Sequence, residues 1–108
     1  MKVIDKVKEK ERKEEYLKKI SGIFEKITMF HAISEYYYGF NIKLFDKKFL
    51  YFFRKPIARI DVDYNDNEIE AKVGDISSEQ LEIIKSALKD AEGIRNKTKV
   101  TLTIVEKL

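Results

Sequence analysis

The stretch from Asp61 to Lys72, DVDYNDNEIEAK, holds the side chains in this chain that are best suited to chemistry. Five of its first ten residues are acids. Carboxylates grouped in this way can hold a divalent cation, since Mg²⁺ takes one or two carboxylates and completes its shell with water and phosphate oxygens. The same pattern is typical of an acidic hairpin that faces water, because charge runs usually lie on solvated surfaces. Both interpretations stay open at the level of sequence.

The periodicity of this stretch predicts a β-hairpin, with strands at 57–64 and 68–73 and a turn at Asn65-Asp66-Asn67. Side chains alternate between the two faces of a strand, so one face is predicted to be charged and the other, apolar one to face the core. The charged face consists of Arg59, Asp61, Asp63, Glu68, Glu70 and Lys72. If Asn65 and Asp66 are the two central residues of the turn, Asp61 lies opposite Glu70 and Asp63 opposite Glu68. Like charges in such opposed positions cost about 0.2–1 kcal/mol per pair.

Asp61, a turn, and then Glu70-Ala71-Lys72 on the next strand are similar to the signature of the PD-(D/E)XK nucleases. The predicted order of helix, strands, helix and strand also resembles the core of that family. The resemblance implies that Asp61 and Glu70 would bind Mg²⁺ or Mn²⁺, and that Lys72 would orient or activate water near the attacked phosphate. On the metal interpretation, Asp63 and Glu68 are further candidate ligands on the same face.

Aromatic and basic residues interleave in a second stretch, FDKKFLYFFRK, from Phe45 to Lys55. Residues 43–59 hold six cations against the single acid Asp46, a local charge of +5. Sheet aromatics beside cations can stack bases and neutralise phosphates, which predicts a nucleic acid or nucleoprotein partner. The candidate binding residues are Lys43, Lys47, Lys48, Arg54, Lys55 and Arg59. The alternative is that 49–53 is a central strand buried on both faces.

The elements that must position these residues follow from the spacing of apolar residues. From Tyr16 to Tyr37 they recur every three or four positions, which predicts one long helix that starts near Asp5 and ends near Tyr38, with Gly39 as its cap. Residues 1–20 are predicted to be a charged helical extension. Four strands are expected at 40–45, 49–54, 57–64 and 68–73.

A second helix and a last strand complete the predicted order. Ser77 and Gln80 have the spacing of a capping box, and Gly93 is expected to close the helix. A final strand is predicted at 99–105. The expected fold is therefore α+β in the order α-β-β-β-β-α-β, with two antiparallel hairpins, as a single domain over 1–108.

Tyrosines supply the candidate protein interface. Tyr36-Tyr37-Tyr38 cannot all lie on one face of a helix, and tyrosine is enriched at interfaces. Together with the charged extension, this predicts a homodimer or another protein partner. The candidate interface residues are Tyr16, Tyr36 and Tyr38.

Composition limits the classes of function. The chain has 108 residues, a net charge of +3 and no cysteine, which excludes disulfides, thiol nucleophiles and Cys-ligated zinc. No apolar run approaches a membrane span, and the N-terminus does not read as a signal peptide, so we expect a cytoplasmic protein. The abundance of Lys and Ile is typical of a thermophile or of an AT-rich genome. We expect a small non-enzymatic binding protein, of the accessory or viral kind, with a Mg²⁺- or Mn²⁺-dependent nuclease as the alternative.

Overall fold

The computed structural model describes residues 3–27, 30–45, 56–106 and 108. In chain order the elements are α1 Val3–Glu25, β1 Phe30–Tyr36, β2 Gly39–Phe45, β3 Pro56–Asp63, β4 Glu68–Val73, α2 Ser78–Glu92 and β5 Lys99–Ile104. The predicted α+β class and element order are confirmed. Within the described residues, neither helix combines the length and the apolar character that crossing a membrane requires.

One mixed sheet organises the molecule, with its five strands in the order β1-β2-β3-β4-β5. Neighbours from β1 to β4 are antiparallel, and β5 returns parallel to β4 after the crossover through α2. Both helices pack on the same face of the sheet, where one core cluster joins their apolar residues to those of the strands. Its largest fully buried side chains include Ile20, Phe24, Ile42, Ile60 and Ile84.

The prediction of one helix as far as Tyr38 is wrong. α1 ends at Glu25, where the backbone N–H groups of Lys26 and Ile27 bond to carbonyls only three residues back and tighten the last turn. Residues Phe30–Tyr36 instead form β1, and Gly39 begins β2 rather than capping a helix. The segment contains Phe30, Ile33 and Tyr36, residue types that favour strands, and pairing with β2 stabilises it as a strand.

The four strands before α2 are therefore not the four segments predicted. β1 takes the place of a stretch assigned to the helix, while the predicted strand at 49–54 lies outside the described residues. The candidate binding residues Lys47, Lys48, Arg54 and Lys55 lie outside them as well.

The predicted ends of α2 are confirmed. Ser77 is the N-cap, its Oγ accepts a hydrogen bond of 3.1 Å from the backbone N–H of Gln80, and Gln80 Oε1 accepts one of 3.0 Å from Ser77 N. This capping box satisfies two backbone groups that the helix itself cannot. Gly93 closes the helix. α2 is thus the crossover helix that connects β4 to the parallel strand β5.

Candidate functional site

The face of the sheet opposite the two helices carries the candidate site, and we call it the open face. Strand alternation and register assign to it Asn41, Lys43, Arg59, Asp61, Asp63, Glu68, Glu70, Lys72, Lys99, Thr101 and Thr103. The predicted division of the β3–β4 hairpin is confirmed: the charged positions lie on the open face, while the alternate apolar positions from Ala58 to Val73 are buried under the helices. The pairs Asp61–Glu70 and Asp63–Glu68 are also as predicted.

Three cations lie side by side on the open face. Lys43 on β2 is opposite Arg59 on β3, and Arg59 is opposite Lys72 on β4. We call these three residues the basic row. Adjacent strands are about 4.8 Å apart, so the row spans about 10 Å at the backbone. Like charges placed directly opposite repel, and an anion held above the row would relieve that repulsion.

The four carboxylates Asp61, Asp63, Glu68 and Glu70, here called the acidic patch, lie beside the basic row. Three of them have partners already. Asp61 Oδ1 accepts a hydrogen bond of 2.7 Å from Asn41 Nδ2, and Asp63 Oδ1 accepts one of 2.9 Å from the backbone N–H of Asp66. Glu70 Oε1 is 3.5 Å from Lys72 Nζ, and both side chains are half-exposed, so this ion pair contributes little to stability.

Metal ligation by the acidic patch is limited by this geometry. Over the described ranges, no three His, Asp or Glu side chains come together closely enough to hold a metal ion. Asp61 and Glu70 still face each other across one strand pair, and Lys72 lies on the same face. The structure therefore brings together the three residues that the nuclease resemblance singles out, as one carboxylate pair with a lysine beside it.

Tyr16, a predicted interface residue, is only 6% exposed and packs inside the core of the chain. Its ring lies 5.6 Å from that of Tyr64, and the Arg95 guanidinium lies over both rings, 4.2 Å from the Tyr64 centroid and 5.7 Å from that of Tyr16. Burial raises the pKa of the Tyr16 hydroxyl above its ordinary value, and the positive charge of Arg95 opposes this.

Tyr36 and Tyr38, the other two predicted interface residues, are both exposed and lie at the β1–β2 turn. Their rings stack with centroids 5.8 Å apart. Tyr36 also borders a groove of about 550 Å³ between α1 and the β1–β2 hairpin, whose other lining residues include Tyr16, Phe40 and Lys10. Lys13 Nζ donates a hydrogen bond of 2.7 Å to the carbonyl of Tyr37 and ties the hairpin tip to α1.

Asn41 is a site residue that sequence reasoning missed. It is 5% exposed although it belongs to the open face, and its amide orients Asp61 at the border between the acidic patch and the basic row. A signal was present in GFNIKLF, where Asn41 and Lys43 alternate with the apolar residues that became the core face of β2.

No protein-family model, curated protein or solved structure matches this chain.

Proposed function

We propose that this protein binds nucleic acid through the open face of its sheet, with the basic row against the phosphate backbone. The observation that supports the proposal best is the juxtaposition of Lys43, Arg59 and Lys72 on three neighbouring strands. Neither helix packs on that face, so a ligand as long as a nucleic acid strand meets no helical layer there. Cations without a dedicated carboxylate partner supply the electrostatic part of nucleic acid affinity.

The small number of ion pairs made by the basic row supports the same proposal. Neither Lys43 nor Arg59 forms an ion pair with another described residue, and the Lys72–Glu70 pair is loose and half-exposed. An Arg guanidinium is suited to this role because its planar donors match two phosphate oxygens at once. Four further cations, Lys47, Lys48, Arg54 and Lys55, occur in the connection between Phe45 and Pro56, and they would add to the positive charge that follows Lys43 in the chain.

The acidic patch gives the proposed interface a direction. Its carboxylates repel phosphates. A bound strand would therefore follow the basic row and stay away from the part of the open face where Asp63 and Glu68 lie. Thr103 of β5 continues the row at one end, since it is opposite Lys72. Such contacts go to the backbone, and we therefore expect affinity with little sequence preference.

Charge reversal tests the proposal directly. Arg59→Glu should weaken binding of a labelled oligonucleotide, measured by fluorescence anisotropy, by about tenfold or more, because a charge-assisted contact contributes about 1.5–3 kcal/mol. Lys89→Glu is the matched control, since Lys89 is exposed on α2, on the helical side of the sheet. Equal affinities for the two variants would contradict the proposal.

A second candidate function, metal-dependent phosphodiester cleavage, is favoured by one observation. Asp61 and Glu70 are opposite each other across β3 and β4, and Lys72 Nζ is 3.5 Å from Glu70. Two carboxylates are enough for Mg²⁺ when phosphate oxygens and water complete its shell. In this candidate the basic row holds the substrate strand, and the carboxylate pair beside it holds the metal ion.

A further inference from the structure

Within the part of the chain that the structure describes, the strand β1 lies at an edge of the sheet and has one acidic residue, Glu35, to protect that edge. Among the described residues it pairs only with β2. Alternate residues of an edge strand direct their backbone N–H and C=O groups away from the sheet, where another strand can pair with them. Natural edges are commonly blocked by Lys, Pro or a bulge, but β1, FHAISEY, has no Lys, Arg or Pro and a regular register. The opposite edge, β5, carries Lys99.

An apolar row on the core face of the sheet ends at this edge. The cross-strand register joins Leu102, Ala71, Ile60, Ile42 and Ile33 in one line. Ile60 and Ile42 are fully buried, whereas Ile33 at the end of the line remains 36% exposed. This one row therefore stays apolar as far as the edge, with Glu35 two residues further along β1 on the same face, and a further strand would cover Ile33.

We propose that the occupant of this edge is β1 of a second copy of the chain, paired antiparallel about a two-fold axis at Ile33. The seven residues of β1 are complementary to themselves in that register. In that register Ser34 is opposite the partner's Ala32, while Glu35 and Tyr36 are opposite positions 31 and 30 of the partner strand. The only carboxylate of the strand is therefore not opposite its own copy, and Ile33 meets a second β-branched apolar side chain.

The symmetry of this contact has a consequence for the open face. A two-fold axis between antiparallel strands is perpendicular to the sheet, so the two sheets join into one of ten strands with both open faces on the same side. The apolar row then passes from Ile42 through both Ile33 residues into the second copy. Two basic rows face one direction and would bind a nucleic acid bivalently. The dimer itself does not depend on the proposed function, because its contacts are on the edge and not on the open face.

The chain has no cysteine, so a single introduced thiol can report on this contact. In Ile33→Cys the two thiols meet on the axis, where opposed Cα atoms lie about 4.5–5.5 Å apart, within the range that a disulfide bridges. The full-length variant should form a disulfide dimer under mild oxidation in near-complete yield at micromolar concentration. Tyr37→Cys is the control for disulfides formed by random collision, since Tyr37 is 94% exposed and far from the axis. Thr101→Cys is the matched control at the centre of the other edge strand.

We expect Ile33→Cys to cross-link and the two control variants not to. We also expect light scattering of the wild-type chain to give a mass of twice 12.8 kDa. A second variant guards against effects of cysteine itself: Ile33→Lys places a charge on the axis and should return the chain to a monomer with an unchanged circular dichroism spectrum. A wild-type monomer at all concentrations would overturn the proposal, as would equal cross-linking of Ile33→Cys and Tyr37→Cys, or cross-linking through Thr101→Cys instead.

Discussion

Asn41 Nδ2 donates a hydrogen bond of 2.7 Å to Asp61 Oδ1 between the neighbouring strands β2 and β3. Asn41 is buried and Asp61 is exposed, so the amide holds the carboxylate from below, at the border between the acidic patch and the basic row. The bond therefore fixes the position of the Asp61 carboxylate, and it links the stability of the sheet to the arrangement of charges on the open face.

Asn41→Ala removes this hydrogen bond and leaves the Asp61 carboxylate without its partner. A hydrogen bond to a charged group contributes about 1.5–3 kcal/mol, and partial exposure of this one reduces the expected loss in unfolding free energy to about 1–2 kcal/mol. Urea denaturation measures it. Asn96→Ala is the control, because Asn96 is exposed and accepts a hydrogen bond only through its backbone carbonyl. Equal stability of the two variants would show that the Asn41 amide contributes nothing.

Two glycine-to-alanine substitutions should change stability in opposite directions. A Cβ at Gly39 would collide with the backbone carbonyl of Val62 on β3, so Gly39→Ala must push β2 and β3 apart and should cost about 1–3 kcal/mol or more. At Gly22, inside α1, no atom lies within 4 Å of an added Cβ, and Gly22→Ala should stabilise by about 1 kcal/mol. Thermal melts of both variants test this, and a loss of stability at Gly22 would contradict the open space described there.

The stability of the chain should fall above pH 10 partly because of Tyr16. Burial raises the pKa of its hydroxyl above the ordinary 10.0, so the folded state holds the proton more tightly than the unfolded state. The resulting stability is complete below pH 10 and is lost as pH rises through the folded pKa. Tyr16→Phe should therefore lose less stability than the wild type between pH 8 and pH 11. The control is Tyr37→Phe at an exposed position, which should lose as much stability over this pH range as the wild type. An equal loss of stability in Tyr16→Phe and the wild type would contradict the prediction.

Metal-dependent cleavage has its own test. If Asp61 and Glu70 hold Mn²⁺ or Mg²⁺, the protein should nick single-stranded, duplex or branched DNA in Mn²⁺, and Glu70→Ala should abolish the activity. Its melting temperature should also rise with added Mn²⁺, because a ligand that binds only the folded state stabilises it. Glu92→Ala, on the exposed side of α2, is the control. No cleavage together with no rise in melting temperature would exclude this second candidate and leave binding alone.

The β3–β4 hairpin could be predicted closely because its alternation is complete. Apolar and charged residues alternate from 58 to 63 and from 68 to 73, so only one register buries all the apolar residues. Even there the turn differs: it spans residues 64–67 with Asn67 at φ 55°, a left-handed conformation that Asn tolerates well. Asp63 and Glu68 are the last pair of the hairpin, and Tyr64 instead donates its backbone N–H to the carbonyl of Tyr38.

The strand β1 could not be predicted in the same way. Its apolar residues continue the helical spacing of α1, and an edge strand needs no strict alternation because less of its surface is buried. The burial of Tyr16, by contrast, does have a signal in the sequence. Tyr16, Ile20 and Phe24 are spaced four residues apart, which is the spacing of the buried face of a helix. The basic row also required the structure, since Lys43 and Arg59 are sixteen residues apart and only the β2–β3 register makes them neighbours.

The salt dependence of nucleic acid binding tests the central claim most directly. With log Kd measured against log salt concentration for a labelled oligonucleotide, each phosphate contact contributes a slope of about 0.9 for duplex DNA and about 0.7 for a single strand. Arg59→Ala should lower the slope by about one contact and weaken binding equally for unrelated sequences, while Lys89→Ala should leave both unchanged. A wild-type slope near zero, or the same slope in all three proteins, would contradict the assignment of the basic row to the phosphate backbone.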